Sequence, residues 1–133
     1  MASRAFWVDL ERDLEDPEFL REYVVKSMRI ATIDAIINEL EEARLASGLS
    51  KADLARAIQA DPATIRRLFS AEHVNPTLGT LAEVGAALGY RVTLEPISEA
   101  EKRHVTKPLL EGRVANTGRL ARYLEGVRSI KRG

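Results

Sequence analysis

The chain has no cysteine and only two histidines, and this scarcity excludes several kinds of functional site. Without cysteine, neither a disulfide framework nor a cysteine-based zinc site can form. His73 and His104 stand far apart in the sequence, and no second ligand or nucleophile accompanies either of them. The sequence also lacks a glycine-rich phosphate loop and a paired-carboxylate motif. We therefore expect no metal, no cofactor and no enzymatic activity.

Long apolar runs are also missing. No stretch approaches the roughly 18 to 20 apolar residues that span a bilayer. The N-terminal stretch MASRAFWVDLERDLEDPEF turns acidic after a few residues and has no apolar signal-peptide region. We expect a cytoplasmic protein that does not contact a membrane.

The formal net charge is +0, but charges of opposite sign are segregated along the chain. Residues 1–48 hold six Lys or Arg against eleven Asp or Glu, whereas residues 98–133 hold nine against four. Such segregation indicates two surfaces that face different partners. Alternatively, the acidic and basic segments neutralise one another within a dimer.

Apolar residues recur at helical spacing over most of residues 17–89. The cap signals Asp16-Pro17, Ser50, Asp61 and Thr77 mark helix starts, and Gly48 and Gly89 mark helix ends. Predicted helices begin at DPEF, at about Ile30, at LSKADLARAI, at DPATIRRLFS and at Thr77. This pattern predicts an all-α, five-helix bundle preceded by a helical extension.

Residues 50–70 contain two short capped helices separated by only three residues. So short a turn forces the helices to cross steeply, and Ala55 supplies the small residue needed where their backbones approach. Ile65 and Leu68 anchor the second helix. The outward-directed residues of this helix are then Pro62, Ala63, Arg66, Arg67 and Ser70. This arrangement is typical of a helix-turn-helix, whose second helix enters the major groove of DNA.

After Gly89 the sequence period changes from 3.6 to 2. Residues 90–95, YRVTLE, alternate apolar and polar side chains and predict a short strand. A single strand needs a partner strand from a second subunit or from another protein. A basic amphipathic helix is predicted for residues 116–130. The organisation predicted is an acidic N-terminal helical arm (1–28), a helix-turn-helix domain with a terminal strand (29–97) and a basic C-terminal extension (98–133).

The run LSKADLARAIQADPATIRRLFSAEHVNPTLGTLAEVGAALG resembles the Cro/C1-type, or XRE, helix-turn-helix family. The matching features are Leu49-Ser50, Leu54-Ala55, Thr64-Ile65, Arg67, Asn75-Pro76-Thr77-Leu78, Thr80-Leu81 and Ala87-Leu88-Gly89. The resemblance covers residues 33–90 and needs no insertion. The chain departs from the family where glycine is usual, with Gln59-Ala60 in the turn and with Ala71 in a later loop.

This resemblance implies a set of DNA contacts. Ser50 and Lys51 would contact bases or phosphates, and Thr64 and Ser70 would face the DNA backbone. The residues implied to face the major groove are Pro62, Ala63, Arg66 and Arg67. An arginine that pairs with guanine O6 and N7 supplies about 1 to 3 kcal/mol of discrimination. Alternatively, Arg66 and Arg67 pair with acidic neighbours, namely Asp61, Glu72 or Asp53.

More narrowly, LFSAEHVNPTLGTLAEVGAALGYRVTLEPI and the acidic DPEFLREYV resemble HigA-type antitoxins of addiction modules. In these modules a DNA-binding antitoxin neutralises a RelE-like toxin encoded beside it. The resemblance implies binding to double-stranded operator DNA, palindromic because the protein is expected to be a homodimer. A basic toxin would fit an acidic arm bearing Phe6, Trp7, Phe19 and Tyr23. Alternatively, this arm is a helix folded onto its own domain.

Two roles are open for the basic C-terminal residues, which are Arg113, Arg119, Arg122, Arg128, Lys131 and Arg132. They could contact DNA phosphates, or they could form a loosely ordered solubilising tail. The predicted strand could pair across a homodimer or with the toxin. The leading hypothesis for function is an antitoxin that represses its own operon. Alternatives are a stand-alone XRE-type repressor and a protein-interaction module that has lost DNA binding.

Overall fold

The computed structural model describes residues 3–70 and 75–129, and within these ranges it contains eight helices and no strand. The helices are α1 (Arg4–Asp13), α2 (Pro17–Ser47), α3 (Lys51–Ala57), α4 (Pro62–Leu68), α5 (Leu78–Leu88), α6 (Glu99–His104), α7 (Thr106–Glu111) and α8 (Thr117–Arg128). None of the helices in these ranges has both the length and the apolarity that crossing a membrane requires. The all-helical prediction is confirmed.

The chain divides into two compact units. The described residues of the central unit lie within 33–94, and those of the terminal unit lie within 3–32 and 95–129. The structure therefore divides the chain differently from the three segments predicted, because the acidic and basic ends belong to one unit. Helix α2 is continuous from Pro17 to Ser47, and it contributes residues to both units.

The central unit consists of the C-terminal half of α2 together with α3, α4 and α5. Its helices share one apolar cluster, formed by Ile37, Leu40, Leu54, Ala55, Ile65, Leu68, Phe69, Leu81 and Val84. These are residues of the apolar stripes seen in the sequence. Ala55 is fully buried, as the predicted crossing of two short helices requires.

Three helices of the central unit end in the same way. After α2, α3 and α5 the chain passes through a left-handed residue, which is Gly48, Gln59 and Gly89 respectively. After α3, the Ala60 N–H donates to the Ala55 carbonyl (2.8 Å) and the Gln59 N–H to that of Arg56 (3.3 Å). This pair of bonds is a Schellman motif, which normally uses glycine. The turn therefore keeps the usual left-handed geometry at φ 56° although it lacks the usual residue.

Two parts of the fold prediction are wrong. The described part of residues 17–89 holds four helices rather than five, because the helices predicted to begin at DPEF and at about Ile30 are one continuous helix, α2. The chain also forms no strand between Gly89 and Ser98. Residues 90–97 are exposed throughout, and Leu94 is 100% exposed. The predicted strand is absent because a strand needs a neighbour, and the described part of this chain offers none.

The terminal unit packs α1, the N-terminal half of α2, α6, α7 and α8 around a second apolar cluster. The buried members are Leu10, Leu14, Leu20, Val24, Val105, Leu120, Ala121 and Leu124. Residues 98–115, which the sequence pattern left unassigned, contain α6 and α7. Helix α6 begins with a capping box in which Ser98 and Glu101 each bond to the other's backbone N–H.

Polar contacts join the N-terminal half of α2 to α8 within this unit. Arg128 Nε donates to Ser27 Oγ (2.6 Å), and its guanidinium lies 4.1 Å from the Tyr23 ring centroid. The Tyr23 hydroxyl donates to the Glu125 carboxylate. Burial, followed by this hydrogen bond, raises the pKa of Tyr23 to about 12. Arg128 is therefore a structural residue rather than part of a solubilising tail.

Candidate nucleic-acid interface

Helix α4 is held in place by its apolar side. Ile65, Leu68 and Phe69 are buried in the cluster of the central unit. Arg44 of α2 places its guanidinium 5.7 Å from the Phe69 ring centroid, and it also donates to the Leu49 carbonyl (2.8 Å). The helix therefore has one fixed orientation within the central unit.

The first turn of α4 follows the capping pattern read from the sequence. Asp61 Oδ1 accepts a hydrogen bond from the Ala63 N–H (2.9 Å), and Pro62 occupies the first position, where no N–H is needed. Pro62 is exposed, whereas Ala63 and Thr64 are half-buried. Neither Pro62 nor Ala63 has a side-chain donor. The first turn can therefore offer a base only apolar contact, such as with a thymine methyl group.

Arg66 and Arg67 are both exposed on α4, and neither forms an ion pair within the described residues. Of the acidic partners considered for them, Asp61 caps α4 and Asp53 pairs with Arg56 at 2.6 Å. Glu72 lies outside the described residues. Both guanidinium groups are thus available to bind an external acceptor.

Ser50 and Lys51 lie at the start of α3. Ser50 Oγ accepts from the Asp53 N–H (2.9 Å), while the Ser50 N–H donates to Asp53 Oδ2 (3.0 Å). The bond from the Ser50 N–H is the largest cause that lowers the pKa of Asp53, followed by a hydrogen bond between the Ser50 side chain and the Asp53 carboxylate. A DNA contact from the Ser50 hydroxyl would have to compete with this bond to Asp53 for the hydroxyl proton. Lys51 is half-buried and lies at the same helix end.

Ser70 follows α4 and is engaged within the protein. Its hydroxyl donates to the Arg67 carbonyl (2.9 Å), which satisfies one acceptor at the end of the helix. A DNA backbone contact from Ser70 would have to compete with this bond. Of the eight residues predicted to contact DNA, the structure places all on α3, α4 or the residues that flank them.

One exposed cation near this surface was missed by the sequence reasoning. Arg56 lies on α3 three residues after Asp53, and the two side chains form an exposed ion pair. The spacing i, i+3 on a helix is the signal that could have found it. His73 and Ala71, by contrast, lie outside the described residues.

The geometry of α3 and α4 agrees with comparison to protein families. Residues 40–94 match the family model described as helix-turn-helix. The central unit, which contains these residues, therefore resembles a helix-turn-helix domain and is given that name here. The match supports the XRE-type resemblance and indicates sequence-specific DNA binding by this domain. Comparison with curated proteins found no match, and comparison with solved structures found none either.

The aromatic residues predicted to bind a toxin lie in the terminal unit, outside the helix-turn-helix domain. Trp7, Phe19 and Tyr23 are half-buried and pack against the apolar cluster of that unit. Phe6 is 38% exposed and meets Trp7 edge to face, with centroids 5.4 Å apart. Arg122 of α8 lies 4.8 Å from the Trp7 ring centroid. Three of the four aromatic residues thus pack against the core of the terminal unit.

Proposed function

We propose that this protein is a DNA-binding antitoxin of a type II toxin–antitoxin module. It binds its operator as a homodimer in the cytoplasm, represses its own operon and neutralises a RelE-like toxin, and it has no catalytic role. The observation that carries the DNA-binding part is the pair of exposed side chains Arg66 and Arg67 on the anchored helix α4, which form no ion pair within the described residues.

The dimer follows from the small size of this reading surface. With Pro62 and Ala63 in its first turn, α4 offers two strong base-reading side chains, which contact too few base pairs for useful affinity. Two copies on a palindromic operator double the contacts and fix the spacing of the half-sites. The exposed residues 90–97, which form neither helix nor strand, are a candidate dimer contact, because a symmetry mate could supply the missing strand neighbour.

The DNA-binding part is tested on the upstream DNA of the protein's own gene across a salt series. Each arginine–guanine pair supplies about 1 to 3 kcal/mol, so Arg66→Ala/Arg67→Ala should weaken binding at least about 30-fold. The matched control is Lys26→Ala/Arg29→Ala, which removes two exposed cations from α2 in the terminal unit. Equal weakening by both double variants would show that only net charge matters and would overturn the recognition-helix assignment.

The antitoxin part rests on the resemblance and on the acidic surface of residues 9–22. Glu18 and Glu22 are exposed on one face of α2 and form no ion pair within the described residues. Phe6 of α1 adds an exposed aromatic ring. A basic toxin would find complementary charge and an apolar contact there.

A neighbouring reading frame that encodes a small basic, growth-arresting protein is the first observation to seek. Rescue by co-expression with this chain is expected, and Glu18→Gln/Glu22→Gln should reduce it while Glu39→Gln/Glu42→Gln should not. These substitutions are preferable to deleting residues 1–28, which would remove Leu10, Leu14, Leu20 and Val24 from the core of the terminal unit. Absence of such a neighbour would contradict the antitoxin role.

A stand-alone XRE-type repressor is the second candidate. It is favoured by the packing of Trp7, Phe19 and Tyr23 against the terminal unit, which leaves these rings less available to a partner. This candidate predicts operator binding that depends on Arg66 and Arg67 without any toxin to neutralise.

A further inference from the structure

The terminal unit contains a basic cleft that the proposed DNA-binding function does not use. The cleft has a volume of about 670 Å³ and lies where α6, α7, the loop at 112–116 and the start of α8 meet. Its size falls within the range of roughly 300 to 1,000 Å³ that is usual for small-molecule sites.

Four cations line this cleft, and each comes from a different element. Arg103 lies on α6, Lys107 on α7, Arg113 in the loop and Arg119 in α8. All four are exposed, and none forms an ion pair within the described parts of the chain. One carboxylate, that of Glu111, lines the same volume. The cleft therefore holds a strong excess of positive charge that the described protein does not neutralise.

Most other cations of this unit have partners in the fold. Arg12 pairs with Asp9 and Lys102 with Glu99. Arg21 donates to two backbone carbonyls, while Arg122 and Arg128 lie over aromatic rings. Gathering four unpaired cations around one volume costs Coulomb repulsion, which a bound anion would relieve.

The walls of the cleft are fixed by the apolar core and by hydrogen bonds from Arg21. Pro108 is fully buried, and Val114 packs against the apolar cluster. Arg21 of α2 donates to the carbonyls of Leu109 (2.9 Å) and Leu110 (3.2 Å), which holds the end of α7 in place. A rigid wall keeps the cations in position before a ligand arrives and so lowers the entropy cost of binding.

The close approach of Gly112 to Arg21 also fixes the geometry of the loop. Gly112 has φ 75°, and a Cβ at this position would lie 2.9 Å from the Arg21 guanidinium carbon. Glycine therefore lets the chain turn tightly over Arg21 immediately before Arg113. The position of Arg113 is set by this turn.

We propose that this cleft binds a small anion that carries two or more phosphate groups. Several cations around one cleft suit a compact ligand with several negative charges, and phosphate oxygens accept bonds from arginine and lysine alike. Phosphates of duplex DNA offer the same chemistry, but they run along a convex surface, and Glu111 would repel such a row. Asn116, the N-cap of α8, also lines the cleft, so the positive end of that helix dipole adds to the attraction.

The test is isothermal titration of the full chain with inorganic pyrophosphate, and with inorganic phosphate and an unrelated DNA duplex for comparison. Pyrophosphate should bind more tightly than phosphate. Lys107→Ser should weaken pyrophosphate binding about tenfold, as loss of one charge-assisted hydrogen bond implies, and Arg103→Ser/Lys107→Ser should weaken it further. The matched control Lys26→Ser/Arg29→Ser removes two exposed cations outside the cleft and should leave binding unchanged.

Glu111→Gln distinguishes a binding role from a structural one. Removing this carboxylate should tighten pyrophosphate binding, whereas damage to the fold would weaken it. No pyrophosphate binding, or equal weakening by the control pair, would overturn the proposal. It would also be overturned if Lys107→Ser weakened binding of the DNA duplex while pyrophosphate failed to bind, because the phosphates would then belong to DNA. Loss of operator binding in the α4 variants bears on the proposed function alone.

Discussion

Helix α4 of the helix-turn-helix domain and the contacts of α2 with α7 and α8 in the terminal unit use arginine in opposite ways. On α4, Arg66 and Arg67 project into solvent without an ionic partner in the described structure. In the terminal unit, Arg21 and Arg128 instead join segments that are distant in the sequence, through carbonyls, a serine hydroxyl and an aromatic ring. The same side chain therefore either stays exposed to solvent or stabilises the fold, depending on whether an acceptor from elsewhere in the chain reaches it.

The two regions also differ in how their cores are assembled. The cluster of the helix-turn-helix domain draws on helices that follow one another between Ile33 and Leu88. The cluster of the terminal unit joins residues near Leu10 to residues near Leu124. Closing so long a loop costs more chain entropy than joining consecutive helices. The polar contacts of Arg128 help to offset that cost.

The largest effects are expected from cavities in the two cores. Leu54 and Leu120 are each 0% exposed, so Leu54→Ala and Leu120→Ala should each lower the free energy of unfolding by about 2 to 5 kcal/mol. Matched controls are Leu78→Ala and Leu110→Ala, whose side chains are 68% and 77% exposed, with changes of about 0.5 kcal/mol or less. Urea denaturation measures all four. A small loss of stability at either buried leucine would contradict its place in the core of that unit.

Replacing one packed arginine and one exposed arginine tests the difference between them. Arg128→Ala should lower the free energy of unfolding by about 2 kcal/mol, because it removes a charged hydrogen bond and a cation–π contact. Arg66→Ala should change stability by about 0.5 kcal/mol or less, since the side chain is exposed and forms no ion pair in the part of the chain that the structure describes. Thermal unfolding measures both. Equal losses of stability in the two variants would contradict the difference between a structural Arg128 and an exposed Arg66.

A smaller effect, of about 1 kcal/mol near neutral pH, is expected for Tyr23→Phe, which removes the hydrogen bond to Glu125. Its pH dependence is the sharper test. The pKa of Tyr23 in the folded protein, about 12, lies above its model-compound value of 10.0. The stabilisation from its protonated hydroxyl is therefore complete below pH 10 and is lost as the pH rises from 10 to 12.

Unfolding midpoints measured between pH 9 and pH 12 should thus fall less steeply for Tyr23→Phe than for the unsubstituted protein. Tyr90→Phe, which alters an exposed tyrosine of the helix-turn-helix domain, serves as the control and should preserve the full alkaline slope. The interpretation fails if Tyr90→Phe flattens the slope as much as Tyr23→Phe does.

The smallest effect is expected at the turn between α3 and α4. Gln59→Gly relieves about 1 to 2 kcal/mol of left-handed strain but adds about 0.5 to 1 kcal/mol of unfolded-chain entropy. We expect a net gain of about 0.5 kcal/mol in the free energy of unfolding. Gly48→Ala and Gly89→Ala, at the matching positions after α2 and α5, should instead destabilise the domain. Destabilisation by Gln59→Gly in chemical denaturation would contradict the strain.

The parts of the fold that depend on local chemistry were predictable from the sequence. The caps at Ser50, Asp61 and Thr77 and the helix end at Gly89 are set by hydrogen bonds within a few residues, and the structure has them where the sequence placed them. The exposure of Arg66 and Arg67 follows from the burial of Ile65 and Leu68 on the same short helix.

The parts that depend on distant residues were not predictable. Alternation over residues 90–95 indicates a strand only if a second strand lies beside it, and sequence period alone does not provide that neighbour. The aromatic rings of Trp7 and Tyr23 were predicted to form a docking surface, because their partners in the fold, Arg122 and Arg128, lie about a hundred residues later in the sequence. The start of α6, by contrast, was open to prediction from the spacing of Ser98 and Glu101.

The terminal unit is built from two segments that lie on either side of residues 33–94, and this order affects its folding during synthesis on the ribosome. Residues 33–94 complete the helix-turn-helix domain, so this domain can fold as soon as its own residues have emerged. The terminal unit has to wait until Leu120, Leu124 and Arg128 have been translated, because they complete its core and its contacts to α2. During that interval Leu14, Leu20 and Val24 of the nascent chain remain uncovered, and chaperones would be expected to bind there.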